Sequence, residues 1–146
     1  MPPGPFVRAW VDGGARGNPG PAGYGVLLED DRGAELVRIW GYLGQATNNV
    51  AEYRGLVAAL EEALSRGASQ VEIRTDSELV QRQVTGVYKV KQPHLKELMG
   101  RVRALVGRFE RFAILHVRRQ DNAVADELAN RAMDERADGR EPAPSA

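Results

Sequence analysis

The hydrophobic period of this chain lengthens from two residues to three or four near residue 50, which limits the folds it can adopt. From Val50 to Leu64, apolar residues recur at helical spacing. Before them, apolar and polar residues alternate in three segments, Phe6–Asp12, Tyr24–Leu28 and Leu36–Leu43. Three such strands with short links form an antiparallel meander, and a helix that follows them makes a crossover to a parallel strand. The pattern therefore predicts an α/β domain with a mixed sheet and helices on both faces.

The second half of the chain continues with the same two periods. Residues 71–75 and 112–117 are predicted strands, while residues 77–84 and 93–109 are predicted helices. Asn122 can cap a final helix. The order is βββαβααβα, with five strands. We expect residues 1–137 to form a single domain, with a Gly- and Pro-rich loop at residues 13–23, and residues 138–146 to be a disordered tail.

Composition excludes several classes of protein. No apolar run approaches 18 residues, so no membrane span or membrane partner is expected. The first five residues do not resemble a secretory signal, and the chain has no cysteine, which excludes disulfides, zinc–thiolate sites and thiol nucleophiles. These features predict a cytoplasmic protein, for which we expect a monomer.

Positive charge is concentrated in one segment, although the whole chain has a net charge of zero. Residues 86–119 contain nine basic and two acidic residues. Such a segment is a candidate surface for a polyanion, and a solvated helix face explains it equally well.

Four carboxylates lie where predicted elements begin or end. Asp12 and Asp76 each follow a strand, at the edge where open α/β sheets bind ligands. Glu52 and Asp126 are expected in the first turns of two helices, where an acid also stabilises the helix dipole by about 0.3–1 kcal/mol. If the four converge, they cannot all stay ionised without a cation. A pair of hard divalent ions about 3.5–4 Å apart suits phosphodiester hydrolysis.

Four motifs in order resemble those of type 1 ribonuclease H. Residues 12–25 (DGGARGNPGPAGYG) are similar to the opening motif of that family. Residues 47–53 (TNNVAEY), 75–77 (TDS) and 122–129 (NAVADELA) are similar to the other three. The resemblance covers residues 6–136 and implies the ribonuclease H fold.

The resemblance also implies an activity and a set of site residues. The activity is hydrolysis of the RNA strand of an RNA/DNA hybrid, leaving 5′-phosphate and 3′-hydroxyl ends. Two Mg²⁺ ions, with Mn²⁺ as a substitute, are implied at the catalytic and metal-binding residues Asp12, Glu52, Asp76 and Asp126. The implied substrate contacts are Gly13, Gly17, Asn18, Thr47, Asn48 and Asn49. Amides and backbone N–H groups suit recognition of the 2′-hydroxyl without reading bases.

In two departures from the pattern, the chain resembles a shorter branch of that family. The segment before the last helix, residues 118–121, lacks the His that other members carry, so Arg118 or Arg119 is a candidate to stabilise the transition state, with Arg118 preferred. A Trp- and Lys-rich insertion that some members use to bind the hybrid is also missing. Lys89 and Lys91 remain as candidate contacts to the nucleic-acid backbone. The alternatives are a binding module with altered catalysis and a metal nuclease with another substrate.

Overall fold

The computed structural model describes residues 5–143, which form a layered α/β fold. The strands are β1 (Phe6–Ala15), β2 (Gly20–Glu29), β3 (Glu35–Ala46), β4 (Gln70–Thr75), β5 (Arg111–His116) and β6 (Gly139–Pro142). The helices are α1 (Asn48–Ser65), α2 (Glu78–Val84), α3 (Pro93–Val106) and α4 (Ala123–Glu135), with a short 3-10 helix at Arg119–Asn122. The first nine α and β elements appear in the predicted order. None of the helices in this range is both long and apolar enough to cross a membrane.

All strands belong to one mixed sheet in the order β5-β4-β1-β2-β3-β6. The antiparallel meander of β1, β2 and β3 is confirmed. The crossover through α1 is confirmed as well, since β4 pairs in parallel with β1, and β5 extends the parallel part.

The prediction of five strands was wrong, because β6 adds a sixth at the free edge of β3. It lies in the segment expected to be a disordered tail, so that expectation is corrected for residues 139–142. The Tyr42 backbone N–H also donates to Asp138 Oδ1 at 2.8 Å, at the start of this segment. The β6 sequence, Gly-Arg-Glu-Pro, lacks the alternation of apolar and polar residues that indicates a strand. β6 pairs with β3 through backbone hydrogen bonds, which do not require such a pattern. The last three residues, 144–146, and the first four lie outside the described residues.

The loop predicted at residues 13–23 is much shorter than expected, because β1 continues to Ala15 and β2 begins at Gly20. Gly20 lies so close to the turn that a Cβ built on it would be 2.0 Å from the Arg16 carbonyl oxygen. Glycine is therefore required at this position. Asp12 accordingly lies inside β1, not at its end.

The sheet buries an apolar layer on each face. On one face, α1 packs against β1, β2 and β4, and α3 packs against α1. The main core there includes Tyr53, Leu56, Leu60 and Val102. On the other face, α4 packs Leu128 and Ala132 against Trp40. The prediction of helices on both faces is confirmed.

Candidate active site

A cavity of about 460 Å³ opens where β1, β4, α1 and α4 meet. Four carboxylates line it together with glycine, amide and arginine residues. The lining is Asp12, Gly13, Gly14, Ala15, Arg16, Asn48, Asn49, Glu52, Asp76, Ser77, Arg119, Asp126, Ala129, Asn130 and Met133.

Parallel pairing brings Asp12 and Asp76 to neighbouring positions. Val11 of β1 is paired with Thr75 of β4, so the residues that follow both lie side by side. The Asp12 side chain is held by the Gly13 backbone N–H, which donates to its Oδ1 at 2.9 Å.

Gly13 lets α1 come close enough to deliver Glu52. A Cβ built on Gly13 would lie 2.4 Å from the Ala51 carbonyl carbon and 2.6 Å from the Glu52 nitrogen. Any larger residue would therefore push α1 away from β1. Glu52 lies in the second turn of α1, not in the first as expected, because the helix begins at Asn48 with Thr47 as its cap.

Three of the four predicted acids converge. Asp12, Glu52 and Asp76 each present a carboxylate oxygen within 4.8 Å of the others. Asp126 lies in the first turn of α4 as expected, and it lines the same cavity, but it is not part of this tight group. Asp126 is still close enough to interact with Asp12, since its negative charge helps to raise the pKa of the Asp12 carboxyl.

The acids are poorly solvated and repel one another, which shifts their proton affinity. Burial raises the pKa of Asp12 from 3.8 to about 7, and the charge of Asp76 adds to the rise. Burial raises the pKa of Glu52 well above its ordinary value, and the charge of Asp12 acts in the same direction. Burial also raises the pKa of Asp76, while a hydrogen bond from Asn122 and the charge of Arg119 oppose the rise. Such a set of hard oxygen donors fits a divalent cation such as Mg²⁺.

The amides predicted to contact substrate tie the β1–β2 turn to the start of α1. Asn18 Oδ1 accepts from the Asn48 backbone N–H at 3.1 Å, and Asn48 Oδ1 accepts from the Ala15 N–H at 2.7 Å. Within residues 5–143, no hydrogen bond is found for the Nδ2 group of either asparagine, so both can donate to a ligand. Thr47 Oγ1 accepts from the Val50 N–H at 3.2 Å as the helix cap, and no acceptor for its hydroxyl proton is found among residues 5–143.

The other predicted substrate contacts fall into two places. Gly13 and Asn49 line the cavity, and Gly17 lies beside it in the turn with a φ of 87°, which favours glycine. Lys89 lies elsewhere, in a second groove of about 380 Å³ between α2 and α3, and Lys91 is exposed two residues further on. The structure does not bring these two lysines to the carboxylates.

The two candidate arginines have different surroundings. Arg118 forms an ion pair with Asp121 at 3.1 Å, and its side chain is 73% exposed. Arg119 lines the cavity and lowers the pKa of Asp76. The 3-10 helix thus directs Arg119 towards the carboxylates, whereas the preferred candidate, Arg118, does not line the cavity.

The fold brings two further residues to the site, Arg16 and Asn122, which were not predicted as site residues. Arg16 lines the cavity, and it could have been noticed as the only cation in the Gly-rich motif. Asn122 is fully buried and donates from Nδ2 to the Val11 carbonyl oxygen at 2.9 Å. It does not cap α4 with its side chain as expected. No local pattern reveals that bond, which spans 111 residues.

Known proteins have sequences and architectures similar to those of this chain. Residues 10–132 match the family described as Reverse transcriptase-like. A bifunctional protein of Mycobacterium tuberculosis is 48% identical over 85% of this chain, and a Ribonuclease HI of Halobacterium salinarum is 43% identical over 88%. The chain spans 34% and 65% of the lengths of these two relatives. A Ribonuclease H of Methylococcus capsulatus is 34% identical, and the match covers 90% of this chain and 91% of that protein.

Solved structures agree with these relatives. The RNase H1 of Halobacterium salinarum superposes with a TM-score of 0.86 over 89% of this chain and 98% of its own, at 43% identity. LC11-RNase H1, solved in complex with an RNA/DNA hybrid, superposes with a TM-score of 0.85, with the same coverage and 45% identity.

The sheet order and the carboxylate-lined cavity on β1, β4 and α1 define a protein with the ribonuclease H fold. The family match over residues 10–132 includes all four acids. The chain belongs to the type 1 ribonuclease H family.

Proposed function

We propose that this chain is an endoribonuclease that hydrolyses the RNA strand of RNA/DNA hybrids and leaves 5′-phosphate and 3′-hydroxyl ends. The observation that supports this most is the convergence of Asp12, Glu52 and Asp76 within 4.8 Å, in a cavity bordered by amide donors. The hybrid bound in the LC11-RNase H1 structure supports the same substrate.

Asp12 and Asp76 would hold two Mg²⁺ ions, for which Mn²⁺ can substitute, with Glu52 and Asp126 completing the two sites. When bound, such ions activate water and stabilise charge on the attacking and leaving oxygens. The donor set fits, because it is composed of hard carboxylate oxygens whose mutual repulsion a divalent cation relieves.

The residues around the acids would orient the RNA strand. The free Nδ2 groups of Asn18 and Asn48 and the backbone of Gly13, Gly17 and Asn49 would face the minor groove, where the 2′-hydroxyl distinguishes RNA from DNA. The bonds between the turn and α1 hold these donors in place before substrate arrives. Thr47 would donate to a phosphate of the DNA strand.

Arg119 is the better candidate to stabilise the scissile phosphate, since it lies in the cavity wall beside Asp76. Being permanently charged, it cannot relay a proton as a His would. Lys89 and Lys91 would contact the hybrid backbone outside the cavity.

We further propose that this chain forms a single catalytic domain, acts as a monomer and works in the cytoplasm.

The proposal is tested with matched RNA/DNA, RNA/RNA, DNA/DNA and single-stranded substrates, each with and without Mg²⁺. We expect cleavage confined to the RNA strand of the hybrid and lost in excess chelator. Equal cutting of an all-DNA duplex would indicate a metal nuclease with another substrate. Hybrid binding without cleavage under any metal would indicate a binding module.

A further inference from the structure

Arg16 is a basic residue in the wall of an acidic cavity, and its guanidinium is bound to residues of α4 instead of to the four carboxylates. Of the residues that line the cavity, four are acidic and only Arg16 and Arg119 are basic. The Arg16 guanidinium reaches α4, where it forms an ion pair with Asp134 Oδ1 at 2.6 Å and donates to Asn130 Oδ1 at 3.3 Å.

Both partners of this ion pair remain accessible to water. The Arg16 side chain is 47% exposed and that of Asp134 is 63% exposed. Exposed pairs of this kind are weak, because water and salt screen them. A phosphate that enters the cavity can therefore compete with Asp134 for the guanidinium, which binds phosphate oxygens through two parallel N–H bonds.

The turn that carries Arg16 does not need its side chain for support. The Arg16 backbone N–H donates to the Pro21 carbonyl oxygen at 2.8 Å, and Asn18 accepts from the Asn48 N–H on α1. The neighbouring Ala15 N–H is bound to Asn48 as well. The backbone is thus already held on both sides, which leaves the guanidinium free to move.

We propose that Arg16 is a substrate-binding residue that transfers from Asp134 to a phosphate of the bound nucleic acid. Asp134 then acts as a competing anion that keeps the guanidinium away from the carboxylates while the cavity is free of substrate. The proposal rests on the proposed function, since it assigns one contact to that same substrate.

The test compares Arg16→Ala, Asp134→Asn and the double variant. Binding of a short fluorescent RNA/DNA hybrid is measured by anisotropy in chelator, where no cleavage occurs, and kcat and KM are measured with Mg²⁺. Arg16→Ala should raise Kd by about tenfold and reduce the log–log salt slope by about 0.9. Asp134→Asn should lower Kd by about two- to fivefold, the range over which an exposed pair competes. In the double variant this gain should disappear.

Two further variants separate a phosphate contact from a general charge effect. Arg38 and Glu35 form a comparable ion pair on β3, outside the cavity, so Arg38→Ala and Glu35→Gln repeat the same charge changes there. They should leave Kd and the salt slope unchanged. Arg16→Lys should recover binding in part, because it keeps the charge but not the planar fork.

The outcomes distinguish this inference from the proposed function. If the wild type neither binds nor cleaves the hybrid, the proposed function fails. If the wild type cleaves the hybrid but Arg16→Ala keeps its Kd and salt slope, only the assignment of Arg16 is wrong. An Asp134→Asn variant that binds more weakly than wild type, with an unchanged melting temperature, would also overturn it.

Discussion

At the scale of the residue, the carboxylates make stability depend on pH. Burial and like charge raise the pKa of Asp12 to about 7, so the folded chain without metal binds a proton there that the unfolded chain releases near its ordinary value of 3.8. A group whose pKa is raised by folding stabilises the fold below the unfolded value, and this contribution is lost as pH rises through the folded value.

We therefore expect the melting temperature of the metal-free protein to fall as pH rises from about 4 to about 7. Asp76→Asn should weaken this dependence, because it removes a charge that raises the pKa of Asp12. At pH 8 the variant should melt at the same temperature as wild type or higher, while losing nearly all turnover. Thermal unfolding in excess chelator checks this, and a melting temperature that increases over the same range would contradict it.

The two arginines before α4, Arg118 and Arg119, are expected to differ in their contribution to catalysis. Arg119→Ala should lower kcat and kcat/KM together by about tenfold or more, as expected for a contact made in the transition state. Arg118→Ala is the matched control, since that side chain is paired with Asp121, and it should change kcat less than about twofold. The pH–rate profile should stay the same in both, because arginine does not titrate in this range. Equal small effects would show that the site works without this segment.

At the scale of the element, β6 closes the edge of the sheet next to β3. Gly139 lies against the Trp40 ring, where a Cβ would be 2.2 Å from Cζ2. Arg131 of α4 stacks on the same ring at 4.0 Å and forms an ion pair with Glu141. Strand, tryptophan and helix thus form one packed unit on the face opposite α1.

Truncation after Ala137 should consequently destabilise the fold by about 1–3 kcal/mol. The kcat should change less than about twofold. β3 and β2 lie between β6 and the strands that carry Asp12 and Asp76, and the α4 residue that contacts β6, Arg131, lies more than one helical turn beyond Asp126. Urea unfolding and a cleavage assay measure the two effects. Truncation after Ala143 is the control and should cause neither effect, whereas a loss of activity greater than the loss of stability would place β6 closer to function.

At the scale of the whole molecule, charge is distributed unevenly around a net value of zero. Four of the twenty acidic residues line the carboxylate cavity, and the basic groove between α2 and α3 contains Lys89, Lys96 and Arg103. A hybrid that enters the cavity and also contacts this groove would bind with a strong dependence on salt.

Lys89→Ala combined with Lys91→Ala should raise KM more than it lowers kcat, because these contacts bind ground state and transition state alike. The log–log salt slope of hybrid binding should shrink by about 0.9 for each phosphate contact removed. Arg32→Ala, in the turn between β2 and β3, provides the charge control. If the slope of the double variant equals that of the wild type, Lys89 and Lys91 do not touch the substrate.

Within residues 5–143, the sequence alone predicted the types and the order of nine of the ten α-helices and β-strands. Periods of two and 3.6 residues arise from local backbone geometry, so β1 to β3 and α1 are evident without any tertiary contact. The sequence also predicted that Asp12 and Asp76 would meet if their strands lay side by side in parallel, and the pairing of β1 with β4 brings them together although β1 continues past Asp12.

Contacts between residues far apart in the sequence could be identified only in the folded structure. β6 pairs through its backbone with the edge of β3, which requires no side-chain pattern and leaves none to detect. Asn122 binds the Val11 carbonyl because α4 packs beside β1, although the local sequence favours a cap. Likewise, the 3-10 helix directs Arg119 into the cavity, and α4 provides the partner for Arg16. These contacts are set by packing between elements, which periodicity along the chain does not encode.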